Sequence, residues 1–226
     1  MEEISQQNAI MSAIYREAQQ RFSTIIDLAH GWEHINRVYQ MALYIAEQEG
    51  GDLFIVGVAA LLHDLGRTVQ EEEQKHHADA SVTLAQEIFQ RYAIPAEQQE
   101  AILHAILAHS FSRGVQPQTL EASIVRDADR LDALGAIGIL RWAVVGEQRS
   151  TAVTRSYAPT DPLAEHRTLD DKIYMLDHFS VKLFKLAETM TTRTGQQIAQ
   201  QRTEFMRTYV NEFYQEVSAG DTTSAP

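Results

Sequence analysis

The stretch Ala59-Ala60-Leu61-Leu62-His63-Asp64-Leu65-Gly66-Arg67 decides how the chain is read. It closes an apolar run that begins at Leu53 and ends on an adjacent His and Asp, with Gly66 behind them. A segment that is apolar all round belongs in a core, yet this one delivers two metal-capable side chains. One nitrogen and one oxygen ligand, side by side, can hold the same divalent ion. The rest of the chain is then expected to supply the other ligands and a pocket.

Working outward, Asp52 is placed to cap a helix that runs to His63. Before it, in HGWEHINRVYQMALYIAEQEGGD, Ile35, Val38, Ala42 and Ile45 recur at helical spacing and Gly50-Gly51 ends the segment. Residues 3–28 read as an amphipathic helix with Ile10, Ile14, Phe22, Ile25 and Ile26 as apolar markers. After the His-Asp pair, QEEEQKHHADA reads as a polar loop, and a helix follows from about Asp79 to Tyr92 with Val82, Ala85, Ile88 and Phe89 inward. Pro95 suits the first turn of a further helix, which carries Ile102, Leu103, Ile106 and Leu107 together with His104 and His109. SRGVQPQ is a loop, and residues 120–145, around DADRLDALGAIG, predict one deeply buried helix. Residues 146–170 are polar, contain Pro159 and Pro162, and show no period, so a long loop able to act as a lid is expected. Two more helices are expected at about 171–191 and 195–217, and residues 220–226 read as a disordered tail.

The fold class is therefore all-α, as a single domain over residues 1–219 with a metal-binding core at about 25–145 and C-terminal helices at about 171–217. A hydrophobic share of 44% suffices for a sizeable core. No Cys is present, which excludes disulfides, Cys-zinc sites and thiol nucleophiles. MEEISQQ is acidic and polar and does not read as a signal peptide. No apolar run approaches the ~20 residues of a membrane span. A cytoplasmic protein away from the membrane is the expectation. With 19 basic against 31 acidic residues and a net charge of −12, non-specific binding to nucleic acid or an anionic bilayer is disfavoured. A small anionic substrate remains compatible, because a metal and a few basic side chains reverse the local field. Neither an internal repeat nor a heptad seam is present to specify assembly.

His30 and His34 are four apart and would share a face if both lie on one helix. If that face points at His63-Asp64, ligands converge from two helices and one more is needed. Asp127, Asp129 and Asp132 are embedded in an apolar segment, where carboxylates are costly unless they pair or bind metal. Pairing with Arg126, Arg130 or Arg141 is the ordinary reading for Asp127 and Asp132; three acids so close together still favour at least one ligand. A divalent ion held here would act as a Lewis acid and lower the pKa of a bound water. Asp64 would orient that water or act as base. Mixed His and carboxylate ligands suit Mn, Fe, Ni, Co or Zn, and Mg less well. Arg37, Arg67 and Lys182 are the basic candidates for contacts with an anionic substrate, with His30 and Asp132 beside them; a solvated surface position is the ordinary alternative for each basic residue. His104 and His109 are expected to have a structural role or to bind substrate, donating to it or to the attacking water. His76 and His77 read as solvated loop residues, although a loop beside a metal can donate a ligand. Trp32 and Trp142 read as core anchors, and Tyr157 as a substrate contact if the loop closes.

HINRV, then His-Asp after an apolar run, then DADRLDA, resembles the HD-domain superfamily of metal-dependent phosphohydrolases, whose pattern is His, His-Asp and a distant Asp. The motifs cover roughly residues 25–145. AHSF, DADRLDALGAIGILR and the later HFSVKLFKLAETMTTRTG and AQQRTEFM extend the likeness across most of the chain, towards the small stand-alone bacterial branch. The resemblance implies an HD-domain helical bundle with additional C-terminal helices, and His34, His63, Asp64 and Asp129 as metal ligands. It implies Mn or Mg as the ion in use, and a nucleotide substrate, a nucleoside triphosphate cleaved to monophosphate and pyrophosphate. The competing expectations are a nucleotide monophosphatase, a di-iron oxygenase on the same scaffold, which needs the intervening His residues as ligands, and a non-catalytic metal-binding module.

Overall fold

A computed structural model describes residues 2–69 and 76–219. Among the described residues it contains nine α-helices and no strand beyond an isolated bridge between Arg155 and Tyr174. None of these helices is long and apolar enough to cross a membrane. The chain divides into two compact units, Met1–Asp132 with Thr191–Gly195, and Ala133–Met190 with Gln196–Pro226.

The first unit contains α1 (Glu2–Phe22), α2 (Trp32–Glu49), α3 (Leu53–Leu62), α4 (His77–Tyr92), α5 (Ala96–His109) and α6 (Leu120–Leu131). α3 lies at its centre, packed against α1, α2, α5 and α6. Phe54 and every residue from Val56 to Leu62 are buried, as an all-apolar helix requires. Full burial of Leu61 and Leu62 is worth roughly 1.5–3 kcal/mol each. Asp52 caps α3 as expected, its Oδ1 accepting the Phe54 and Ile55 amides at 2.9 and 3.1 Å. α2 ends where Gly50 takes the left-handed conformation, φ +83°.

Three expectations need correction here. The helix expected over 3–28 stops at Phe22, and Ile26 is fully exposed. Beyond it the Asp27 Oδ1 accepts the Ala29 and His30 amides, a local bond that holds residues 27–30 in a turn. His30 therefore lies in the turn before α2, not on it. α4 begins two residues earlier than expected, because the His76 Nδ1 accepts the Ala78 amide and acts as its cap. Of the polar loop read there, residues 70–75 fall outside the described residues. The single buried helix expected over 120–145 is two helices, α6 and α7 (Gly135–Gln148), with Gly135 at φ +75°. Nor is α7 deeply buried: Leu140 is 62% exposed.

The second unit holds α7, α8 (Asp177–Val181), a 3-10 turn Leu183–Thr189 and most of α9 (Arg193–Ala219). The helix expected over 171–191 is only the short α8 plus that turn. Backbone groups of residues 173–176 are taken instead by Arg155 and Ser156: the Arg155 amide bonds to the Ile173 carbonyl, and the Met175 and Leu176 amides bond to Arg155 and Ser156. The long loop is anchored further by a bidentate Arg167–Asp177 pair at 2.6 and 2.7 Å. Tyr157 packs edge-on against Phe213, and Trp142 donates its Nε1–H to the Met175 carbonyl while packing on Phe179.

Gly66 shows how closely the turn after His63-Asp64 meets α4. Its amide donates to Ser81 Oγ at 2.8 Å, and a Cβ there would collide with the His77 carbonyl oxygen and lie 2.8 Å from the Ser81 amide nitrogen. Gly66→Ala is expected to destabilise the protein by about 1–3 kcal/mol, read as a lower urea midpoint at an unchanged slope. An unchanged midpoint would show that the turn does not depend on this approach.

Candidate metal centre

His63 closes α3 in helical conformation, and its Nδ1 lies 2.8 Å from the Ala60 carbonyl. A carbonyl only accepts, so Nδ1 carries the proton and Nε2 faces forward with its lone pair. His34, buried in the first turns of α2, places Nδ1 2.7 Å from the Asp132 carboxylate, with the same consequence for its Nε2. His109, the last residue of α5, donates Nδ1–H to the Ile106 carbonyl and also turns Nε2 inward.

The His34 and His63 Nε2 atoms are 3.3 Å apart. With both lone pairs facing inward, this approach calls for a cation between them. Asp129 Oδ1 stands 3.5 Å from the His34 Nε2 and 3.8 Å from the His63 Nε2. Asp64 Oδ2 is held by the Arg67 Nε at 2.6 Å, but Asp64 Oδ1 has no hydrogen-bond partner although the residue is only 3% exposed. Nearest to it are Nε2 of His77 at 3.5 Å and Nε2 of His109 at 3.7 Å, beyond hydrogen-bond length. A buried carboxylate oxygen left alone costs about 1–3 kcal/mol or more. His34, His63 and Asp129 form one group whose ligand atoms lie within 4.8 Å of one another; His63, Asp64 and His109 form another. This nitrogen and oxygen set fits a divalent transition metal.

The electrostatics favour that occupancy. Burial pushes His63 down to about 4, so its imidazole is neutral, and burial does the same to His77, also to about 4. Burial pushes Asp64 upward, but His109, His63 and Arg67 outweigh it and hold the carboxyl well below its ordinary range. Asp129 is likewise lowered, His63 and His34 overcoming its burial. His109 is raised, because Asp64 outweighs the burial that would discharge it. Two carboxylates stay ionised and one buried imidazole stays neutral, the states that metal ligation requires.

Of the residues singled out in the sequence, His34, His63, Asp64, Asp129 and His109 come together, with Arg67 on Asp64. Arg37 and Asp132 sit behind His34: the Arg37 Nε and Nη2 bond to the Asp132 carboxylate at 2.7 and 3.0 Å, and that carboxylate also holds His34. His30 bonds to Asp27 at 2.9 Å, its ring centroid 6.0 Å from that of His34. His104 is outside the cluster; its Nε2 accepts the Gln118 amide at 2.9 Å and fixes the loop before α6. Lys182 belongs to the second unit and is exposed. Asp127 accepts the Thr191 and Thr192 amides and the Thr192 hydroxyl, so it braces residues 191–192. His77 is the residue the sequence reading missed as a member of the cluster. Its signal was the spacing His77, Ser81, Ala85, one helical stripe whose Ser81 and Ala85 are buried.

Comparison with known proteins agrees with this geometry. The HD-domain family model matches residues 31–134. YpgQ of Bacillus subtilis is 32% identical over 196 residues, 85% of this chain and 86% of that protein. Its crystal structure in complex with ADP superposes with a TM-score of 0.73 at 29% identity, covering 93% of this chain and 96% of that one. An HD-superfamily hydrolase from Bacillus thuringiensis gives a TM-score of 0.73 at 30% identity, covering 94% and 99%. Ribonuclease Y of Thermoanaerobacter pseudethanolicus is 35% identical over 101 residues, 45% of this chain but only 18% of that protein. A match over nearly the whole of YpgQ, together with the His, His-Asp and Asp residues assembled in one cluster, makes this chain a member of the HD-domain family.

Proposed function

We propose that the protein is a metal-dependent phosphohydrolase acting on nucleotides, with His34, His63, Asp64 and Asp129 as the ligands of one divalent ion. The observation that carries this reading is the partnerless Asp64 Oδ1, buried beside imidazoles whose tautomers are already set. The complex of YpgQ with ADP supports a nucleotide as the ligand class. When bound, the ion supplies Lewis acidity towards a phosphoryl oxygen and acidifies its water. The protein's own groups do the rest. Asp64, kept ionised, accepts a proton or orients the attacking water through a carboxylate oxygen. His109, whose Nε2 lies 3.7 Å from Asp64 Oδ1, would serve as the proton donor to an oxygen of the phosphoryl group. Arg67, committed to Asp64 through Nε alone, offers its remaining N–H groups to phosphate.

Arg37 and Asp132 take a different part from the phosphate contacts that the sequence suggested. The carboxylate fixes the tautomer and ring orientation of His34, and the guanidinium fixes the carboxylate. Partners of this kind are worth roughly 10–100-fold in metal affinity. Asp132→Asn is therefore expected to weaken Mn binding by roughly that factor in a calorimetric titration, with the KM for nucleotide unchanged at saturating metal. A raised KM with unchanged metal affinity would return Asp132 to a substrate contact.

The reaction itself is tested with a panel of nucleoside mono-, di- and triphosphates in the presence of Mn. Pyrophosphate release from triphosphates is expected, abolished by EDTA and reduced at least about 100-fold by Asp64→Asn, in the range of a lost catalytic acid or base. Orthophosphate alone from every nucleotide would replace the pyrophosphohydrolase reading by a phosphatase. Activity that survives Asp64→Asn, or no hydrolysis with any divalent ion, would remove the proposal.

A further inference from the structure

A second concentration of charge lies in the first unit, on α1 and α4, and shares no residue with the metal centre. A groove of about 600 Å³ is lined by Ala13, Arg16, Glu17, Gln20, Arg21, Arg91 and Tyr92. Three guanidiniums against one carboxylate leave its walls at a net charge of +2, in a chain whose net charge is −12. Glu87, one turn before Arg91 on α4, acts on that guanidinium from outside the lining.

Exposed arginines are ordinary; these differ in being ordered by one side chain. The Glu17 carboxylate, 15% exposed, accepts Arg21 through Nε and Nη2 at 3.1 and 2.9 Å. It accepts Arg91 Nη1 on both oxygens, at 2.6 and 2.7 Å, and the Tyr92 hydroxyl at 3.3 Å. Two guanidiniums thereby lose the side-chain freedom that a ligand would otherwise have to remove on binding. Their commitment to Glu17 is also partial, since a guanidinium carries five N–H donors: Arg21 Nη1 and Arg91 Nη2 and Nε are not engaged by that carboxylate. Arg16, exposed on the same groove, adds a third fork. Forked donors match phosphate oxygens, and the volume lies in the range of small-molecule sites.

We propose that this groove is a binding site for a small oligophosphate-bearing molecule, held by Arg16, Arg21 and Arg91 with Glu17 as the brace that orders two of them. One phosphate would meet the Arg21 and Arg91 forks, and Arg16 would reach the next along the chain. Binding here needs no metal and does not depend on hydrolysis at the other centre.

The test is calorimetric titration of pyrophosphate into the full-length protein in EDTA, at low salt. One saturable event is expected, weakening steeply with added NaCl as a contact made by several exposed charges must. Arg16→Gln should weaken it several-fold, and Arg16→Gln with Arg91→Gln more than tenfold. Arg16 is exposed and outside the Glu17 cluster, so the single variant keeps the fold, and its Mn-dependent nucleotide hydrolysis should equal that of the parent protein. Absence of saturable binding in the parent protein, or binding that persists in the double variant, would overturn the proposal. Orthophosphate binding as tightly as pyrophosphate would overturn its oligophosphate part.

Discussion

An ionised carboxylate at the end of a wholly apolar helix is the constraint on which the first unit depends. Asp64 follows α3, whose last seven residues are buried, so its charge cannot be left to water. One oxygen is met by Arg67; the other is met by nothing within hydrogen-bond length. Such a group calls for cationic partners, and besides Arg67 three imidazoles, those of His63, His77 and His109, stand within 4 Å of it, from three helices or their ends. The rings of His63, His109 and His34 are each turned by a bond behind them, to Ala60, Ile106 and Asp132 in that order. The arrangement is pre-set before any ligand arrives, which is what rapid and selective ligation requires.

The three acids of α6 show how helical geometry divides such work. Asp129 and Asp132 are three apart and share a face, one towards the cluster and one behind His34. Asp127 lies about 200° round the helix from Asp129 and turns to the backbone of Thr191 and Thr192. One short segment thus carries a candidate ligand, the support of another, and the brace of residues 191–192. Gly195 stands close beside that brace: a Cβ there would lie 2.9 Å from an Asp127 oxygen.

What could be read in the sequence was what depends on neighbours along the chain. The apolar run, its Asp52 cap, the Gly50 stop and the period of α2 are local facts, and each is where it was expected. Local spacing offered His30 with His34 and three acids of α6, and the family pattern chose His34 and Asp129 among them. His77 escaped because its role depends on the start of α4 returning to Asp64, across residues whose composition reads as a charged loop. The boundary at Asp132 escaped for a related reason. Apolar residues continue from Leu131 into α7, and the break between α6 and α7 is marked by the left-handed Gly135, while the Asp132 side chain turns to His34 and Arg37, 98 and 95 residues away in sequence. Hydropathy could not show this break.

Charge near a motif is an ambiguous guide until its partner is known. Arg37 lies one turn from a candidate ligand, and from sequence that nearness suggests a hand for phosphate. In the structure Arg37 spends two donors on Asp132, and Asp132 fixes the ring of His34, a candidate ligand. Arg67, equally close to the motif, bonds to Asp64 through Nε alone and is 32% exposed. Both engage carboxylates, but Arg37 is held edge-on by a carboxylate that has a second task, whereas Arg67 is a terminal branch. The same distinction separates the two basic regions of this unit. Around Asp64 one guanidinium meets one carboxylate oxygen, and the other oxygen is still without a partner. Around Glu17 the guanidiniums exceed what one carboxylate can satisfy, and the excess faces an open groove.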